Sequence, residues 1–235
     1  MMHPFIIDSV QGRISAIMVT PGSGSGPHPC VVLSHGLISS KTSSKYVVLS
    51  QRFADMGIAS CRFDYHGCGE SSGNIQETTL TIRLDNLDRI VEYVRNRKEI
   101  DPKRIGLLGS SFGGVTSIIK AARDAGIKCV SPWATPHLLK QDESEDAEGI
   151  KFKDSLYTDF ARYDILSEAT KVSHALVIHG DADDIVPCHE GIAIYEHLQQ
   201  PKLSEIIKGA DHILSDQAHR EQAISMALKW FGKYI

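Results

Sequence analysis

Eight short apolar runs, alternating with stretches of helical periodicity, predict an α/β protein built on a mostly parallel eight-stranded sheet with helices on both faces. Two observations carry that prediction. Cys30-Val31-Val32-Leu33, Ile105-Gly106-Leu107-Leu108 and Ala175-Leu176-Val177-Ile178 are apolar without a break, as strands covered on both faces are. Between such runs, Leu80, Leu84, Leu87, Val91 and Val94 recur every three or four residues, which draws one apolar stripe along a helix.

In chain order, the runs at 5–9 and 14–20 flank Gln11-Gly12 and read as an antiparallel hairpin opening the sheet. Pro21-Gly22-Ser23-Gly24-Ser25-Gly26-Pro27 holds no regular structure and reads as a surface loop, too short to link two domains. A central strand at 30–33 ends in Ser34-His35-Gly36-Leu37, and a helix over 46–56 stops at Gly57. The strand at 59–63 runs into the glycine-punctuated loop Asp64-Tyr65-His66-Gly67-Cys68-Gly69-Glu70-Ser71. A helix spans 81–98 and Asp101-Pro102 ends it. The strand at 105–108, the turn Gly109-Ser110-Ser111-Phe112-Gly113-Gly114 and a helix over 115–125 follow. Strands at 127–131, 175–179 and 203–207 complete the sheet, with helices near 190–198 and 216–233; Ala223, Met226, Ala227 and Trp230 mark the buried face of the last. With no internal repeat and no composition break, residues 1–235 are expected to form a single domain.

At 42% apolar and 23% charged residues over 235 positions, the composition is that of an ordinary globular core. The net charge of -4, with both signs mixed, gives no basic footprint for nucleic acid or an anionic membrane. Cysteines at 30, 61, 68, 129 and 188 are odd in number and scattered, which fits free thiols in a reducing compartment. The N-terminus has no secretory leader pattern, and no apolar stretch reaches the ~20 residues that cross a bilayer. A cytoplasmic protein is therefore expected.

One interval breaks the rhythm. The strands at 127–131 and 175–179 are separated by far more than the ~2–6 residues of a usual connection in such a sheet. Residues 132–170 are expected to be a lid, a binding loop or a subunit contact, the last leaving a homodimer open. The acidic run Asp142-Glu143-Ser144-Glu145-Asp146 reads as a solvated turn. Phe152, Leu156, Tyr157 and Phe160 either line a pocket or pin the insertion to the body; Phe152 and Tyr157 are the candidate substrate contacts.

The serine turn gives the interval a purpose. Between a strand and a helix, Gly-x-Ser-x-Gly holds its serine, Ser111, on a sharp turn with the hydroxyl exposed. A serine hydroxyl needs a base to take its proton and an acid to orient that base. In an open sheet such groups cluster beyond the carboxyl ends of the strands. Beyond the strand at 175–179 comes His179-Gly180-Asp181-Ala182-Asp183-Asp184-Ile185-Val186-Pro187, and beyond the last strand Lys208-Gly209-Ala210-Asp211-His212. The chain order Ser111, Asp183, His212 is that of a nucleophile, acid and base on such a sheet, with Asp181, Asp184 and Asp211 as neighbouring acids and His66 and His189 as rival bases. His35 and His179 each close a strand ahead of glycine and read as structural or pocket-lining. No histidine pair has metal-ligand spacing and no glycine-rich nucleotide fingerprint occurs, so neither metal nor organic cofactor is implied.

Taken together, Ser34-His35-Gly36-Leu37, the stretch from Arg62 to Ser71, the serine turn, His179-Gly180-x-x-Asp183-x-x-Val186-Pro187 and Gly209-Ala210-Asp211-His212 resemble the α/β-hydrolase-fold serine hydrolases. Within them the chain is most similar to the small bacterial feruloyl or cinnamoyl esterases. The resemblance implies a lid after the sixth strand and Asp183 as the acid. It also implies an oxyanion hole from the backbone N–H groups of Leu37 and Phe112, with His35 at the substrate pocket. It implies hydrolysis of a small acyl or aryl ester through an acyl-enzyme. Thioesterase, aminopeptidase or amidase chemistry and a non-catalytic ligand-binding member of the fold are the alternatives. Ser110 and Phe112 depart from the esterase pattern, where histidine and glutamine are common, and the departure bears on the acyl pocket rather than on the triad.

Overall fold

The computed structural model describes residues 1–22, 26–140 and 149–235; the middle of the expected glycine-serine loop and the acidic run at 142–146 lie outside the described residues. Strands β1 (Met2–Ser9) and β2 (Gly12–Val19) form the expected antiparallel hairpin, with Ser9 opposite Gly12. Strands β3 (His28–Ser34), β4 (Ala59–Phe63), β5 (Ile100–Ser110), β6 (Ile127–Trp133), β7 (Ala175–Gly180) and β8 (Lys202–Ile207) complete one sheet in the order β1-β2-β4-β3-β5-β6-β7-β8. β2 also runs antiparallel to β4, and every later pairing is parallel.

Helices α1 (Ser44–Asp55), α2 (Leu80–Arg95), α3 (Phe112–Arg123), α6 (Cys188–His197) and α7 (Gln217–Tyr234) connect or close the strands, and α4 (Asp154–Phe160) and α5 (Ile165–Ala169) lie in the long interval before β7. Local chemistry sets their ends. The Thr79 hydroxyl caps α2 by accepting from Ile82 N at 3.2 Å, and the Asp216 carboxylate caps α7 through Ala218 N and His219 N. Gly57, at φ +80°, turns the chain away after α1 as expected. β5 is longer than its apolar run predicts. The helix expected to run to 98 and to end at Asp101-Pro102 already stops at Arg95, and β5 begins at Ile100 and takes in Asp101 and Pro102, with the β3–β5 register shifting between His28 and Cys30.

The period of two along each strand splits the core between the two faces. Val32, Leu107, Val130 and Val177 join Leu84, Leu87, Val91, Ile118, Leu156 and Phe160 on the face covered by α2, α3 and α4. Val31, Leu33, Leu108, Leu176 and Ile178 join Leu49, Phe53, Ala223, Ala227 and Phe231 on the face covered by α1 and α7, with the Phe53 and Phe231 rings 5.5 Å apart edge to face. Because the strands from β3 onward run the same way, the loops after β3, β5, β7 and β8 all emerge at one edge. That edge carries Gly36 and Leu37, Ser111, Asp183 and His212.

Candidate active site

Ser111 occupies a backbone conformation that side chains rarely adopt, φ +56° and ψ -125°. The turn is held from both sides: Ser111 N donates to Trp133 O of β6 at 2.7 Å, and Gly114 N donates to Ser111 O at 2.8 Å. The flanking glycines are there because other backbone comes too close for a side chain. A Cβ on Gly113 would stand 2.2 Å from Ser34 O, and one on Gly109 would stand 2.0 Å from Gly113 O. α3 therefore starts at Phe112, three residues before its apolar spacing suggests, directly behind the serine.

The loops after β7 and β8 meet at Asp183. Its Oδ1 accepts from Ile185 N at 3.0 Å and Val186 N at 2.7 Å, and its Oδ2 accepts from His212 Nδ1 at 2.8 Å. A carboxylate only accepts, so the His212 proton sits on Nδ1 and the Nε2 lone pair is left for another partner. Burial disfavours the charged Asp183. Bonds from His179, His212 and Val186 N outweigh it and hold the carboxyl well below the usual carboxylate range. The neighbouring acids are occupied elsewhere: Asp181 accepts from Gly209 N, Asp211 accepts from Ser215 N at 2.8 Å, and Asp184 is exposed. Of the rival bases, His66 is buried against Gly73 and His189 is exposed on α6.

His179 is buried beneath this pair. Its Nε2 lies 2.8 Å from Val186 O and 3.2 Å from Asp183 Oδ2, so the ring braces the acid loop, the structural reading of the two open for it. His35 does not line the substrate pocket as expected. It is 1% exposed, its Nδ1 donates to Gly36 O at 2.7 Å, and its Nε2 accepts from Tyr65 N at 3.0 Å. With both nitrogens engaged inside the protein it has none for a substrate. Burial, reinforced by the charge of Arg83, lowers its pKa to about 3 and keeps the ring neutral.

The segment after β3 that carries Leu37 is fixed by charged side chains of α2 and of the loops after β3 and β4. Arg83, fully buried in α2, donates from Nη1 to Gly36 O at 3.0 Å and from Nη2 to Leu37 O at 2.7 Å. The signal was legible: Arg83 stands on the Leu80, Leu84, Leu87 stripe, three residues after Leu80 and four before Leu87, where an apolar residue is expected. Further along, buried Asp64 accepts from Lys41 N at 2.7 Å and Glu70 N at 2.9 Å, and Lys41 Nζ bridges Asp64 and Glu70. The loops after β3 and β4 are thereby tied into one body. A Cβ on Gly36 would lie 3.4 Å from Ser111 Cβ, so this body abuts the serine. Phe112, first residue of α3, has an N–H outside the helix ladder.

Ser110 accepts from Lys45 Nζ at 2.9 Å. Burial, then the charge of Arg220, brings Lys45 down to about 8 against the pull of Asp211. The insertion also touches this edge. Phe112 packs on Phe160 of α4 with ring centroids 5.6 Å apart, and Phe152 and Tyr157 are half-buried against the same core cluster as Leu37. Asp159 fastens α4 to α2 by accepting from Thr81 N at 2.8 Å, and buried Glu190 accepts from His137 N at 2.9 Å and Leu138 N at 3.2 Å where the interval begins. Among the described residues no group of three potential metal ligands occurs, and no helix is long and apolar enough to cross a membrane.

Known proteins resemble the chain in sequence and in fold. A relative from Escherichia coli, an uncharacterized 31.7 kDa protein in the traX-finO intergenic region, is 28% identical over 136 residues, 57% of this chain and 47% of the relative. The alpha/beta hydrolase domain-containing protein 17B of Xenopus laevis is 29% identical over 186 residues, 77% of this chain and 59% of the relative. The chain thus spans about half the length of the curated relatives it matches. Among solved structures, Est1E from Butyrivibrio proteoclasticus with bound ferulic acid superposes with a TM-score of 0.85 at 22% identity over 96% of this chain and 98% of its own. The family model of the prolyl oligopeptidase family matches residues 46–235. The chain has the α/β-hydrolase fold and belongs to the prolyl oligopeptidase family.

Proposed function

We propose that the protein is a serine hydrolase that cleaves small carboxylic esters through an acyl-enzyme. The observation that carries the reading is the 2.8 Å bond from His212 Nδ1 to Asp183 Oδ2 at the sheet edge where Ser111 is held on its strained turn. In the proposed reaction His212 Nε2 takes the Ser111 proton as Oγ attacks the ester carbonyl, and the negative charge passes to the carbonyl oxygen. The N–H groups of Leu37 and Phe112 hold that oxygen. As the C–O bond to the alcohol breaks, His212 returns its proton to the leaving group. Water, deprotonated by the same imidazole, attacks the acyl-Ser111, and collapse releases the acid and restores the serine. Asp183 orients the imidazole throughout and stabilises its cation.

The test is turnover of a short p-nitrophenyl ester by wild-type protein and by Ser111→Ala, with folding followed by circular dichroism. Loss of turnover in a folded variant supports the assignment, and retained turnover removes it. A second reading, hydrolysis of a peptide-type bond, is favoured by the family match over residues 46–235. Matched ester, thioester and aminoacyl-anilide substrates at equal enzyme concentration separate the two, because the triad is common to them and only the bond differs. The segment 132–170 is the proposed lid, with Phe152 and Tyr157 toward the acyl group; the packing of Phe160 on Phe112 supports that placement.

A further inference from the structure

We propose that Arg83 is a positioning residue of the oxyanion hole: its guanidinium turns the Gly36–Leu37 peptide so that the Leu37 N–H faces the carbonyl oxygen of the substrate bound at Ser111. The inference rests on the serine-hydrolase reading above and concerns a side chain outside the triad.

In a trans peptide the C=O and the N–H point in opposite directions, so fixing one aims the other. Gly36 C=O and Leu37 N–H belong to the same peptide. Arg83 Nη1 holds the Gly36 oxygen at 3.0 Å and His35 Nδ1 holds it at 2.7 Å from a second direction. The next carbonyl, Leu37 O, is taken by Arg83 Nη2 at 2.7 Å. One planar fork thus grips two consecutive carbonyls, a geometry an ammonium cannot copy.

The fork is itself immobilised. Nε donates to Thr78 Oγ1 at 3.1 Å, Nη2 lies 3.5 Å from Cys68 Sγ, and the guanidinium carbon sits 4.7 Å from the Tyr65 ring centroid and 5.3 Å from that of Phe112. Phe112 carries the second proposed oxyanion N–H, so Arg83 touches the residues behind both donors.

The charge of Arg83 acts as well. Arg83 is 0% exposed and forms no ion pair with a carboxylate among the described residues; the groups against its guanidinium are the neutral Cys68 thiol and the Tyr65 ring. An unpaired buried cation costs stability that a neutral side chain of similar volume would not. The charge is repaid when a negative oxygen forms on the other side of the Gly36–Leu37 peptide, because that peptide dipole is aligned between the two. The assistance is present only in the tetrahedral states of acylation and deacylation, so it acts on kcat and leaves KM in place.

The experiment measures kcat and KM on p-nitrophenyl acetate for wild type, Arg83→Lys, Arg83→Met and Thr78→Val, each normalised to sites titrated with a fluorophosphonate, and turnover by Ser111→Ala normalised to folded protein. In parallel it measures inhibition by phenylboronic acid, which forms a tetrahedral adduct on serine. Expected is a loss in kcat of ~10-fold for Arg83→Lys and ~100-fold or more for Arg83→Met, the range for a lost oxyanion donor, with KM within ~2-fold. Boronate affinity should fall by the same factor as kcat/KM. Kinetics per titrated site within twofold of wild type, or a loss confined to KM, overturns the proposal. If neither Arg83 variant folds, Thr78→Val decides: it frees Nε without removing the charge, so a severalfold fall in kcat at constant KM supports the proposal and an unchanged kcat overturns it. Turnover retained by Ser111→Ala overturns the serine-hydrolase reading itself, a result separate from any in the Arg83 arm.

Discussion

His179 and His212 share one oxygen of Asp183: Oδ2 lies 2.8 Å from His212 Nδ1 and 3.2 Å from His179 Nε2. The other oxygen accepts two backbone N–H groups, so the carboxylate is saturated from below and presents a single orientation to His212. A rigid acid of this kind fixes both the tautomer and the rotation of the imidazole above it.

Asp183→Asn tests that arrangement. An amide in place of the carboxylate presents a donor as readily as an acceptor, and His212 is no longer held with its proton on Nδ1. The expected loss in kcat is ~10⁴-fold, as for the corresponding change in other triads, with the fold retained. A loss below ~10-fold, measured on the ester that wild type turns over, would place the acid elsewhere.

Ser111→Gly tests the strained turn. Glycine takes φ +56° without the penalty a Cβ imposes, so this variant should be more stable than Ser111→Ala by ~1 kcal/mol although both are inactive. For a chain of this size that is ~2–4 °C in Tm, read by a thermal melt of the two variants side by side. Equal melting temperatures would mean that the turn is not strained.

Gly113→Ala tests the close approach of α3 to the loop after β3. The added methyl would stand 2.2 Å from Ser34 O and 2.5 Å from His35 O, both backbone atoms without a soft way out. The helix or the loop must shift, which separates Phe112 from Leu37. Destabilisation of at least ~1–3 kcal/mol, the range for overpacking, and a kcat loss beyond ~10-fold are expected from denaturant titration and kinetics.

His35 sets a pH dependence of stability. Its folded pKa of about 3 lies below the ordinary value, so between the two the unfolded chain binds a proton that the folded protein refuses. Stability therefore falls on acidification from pH ~6.5, by up to ~1.4 kcal/mol per pH unit, and Asp183, also lowered, adds to the loss at still lower pH. Urea unfolding at pH 7.5, 6 and 5 should show a shallower dependence in His35→Gln than in wild type. Parallel slopes would show that His35 titrates freely in the folded state.

Much of the molecule follows from local sequence. The continuous apolar runs give the strands, the stripe from Leu80 to Val94 gives α2, and the turn at 109–114 gives the strained serine, because each is decided by residues close together in the chain. That the loops carrying Ser111, Asp183 and His212 share one edge also follows from the sequence, since parallel strands deliver their following loops to one edge. Long-range packing decided the rest. The resemblance points to Asp183 among Asp181, Asp184 and Asp211, but only the folded sheet shows the physical reason, that this carboxylate reaches a histidine from another loop. Only burial turns His35 from a pocket residue into a brace, by filling both its nitrogens from Gly36 and Tyr65. Arg83 stands out along the chain only as a charge on the apolar stripe of α2; that it grips Gly36 and Leu37, more than forty residues earlier, is decided by the packing of α2 against the loop after β3. The stripe marks the residue as buried, but no local pattern names its partners.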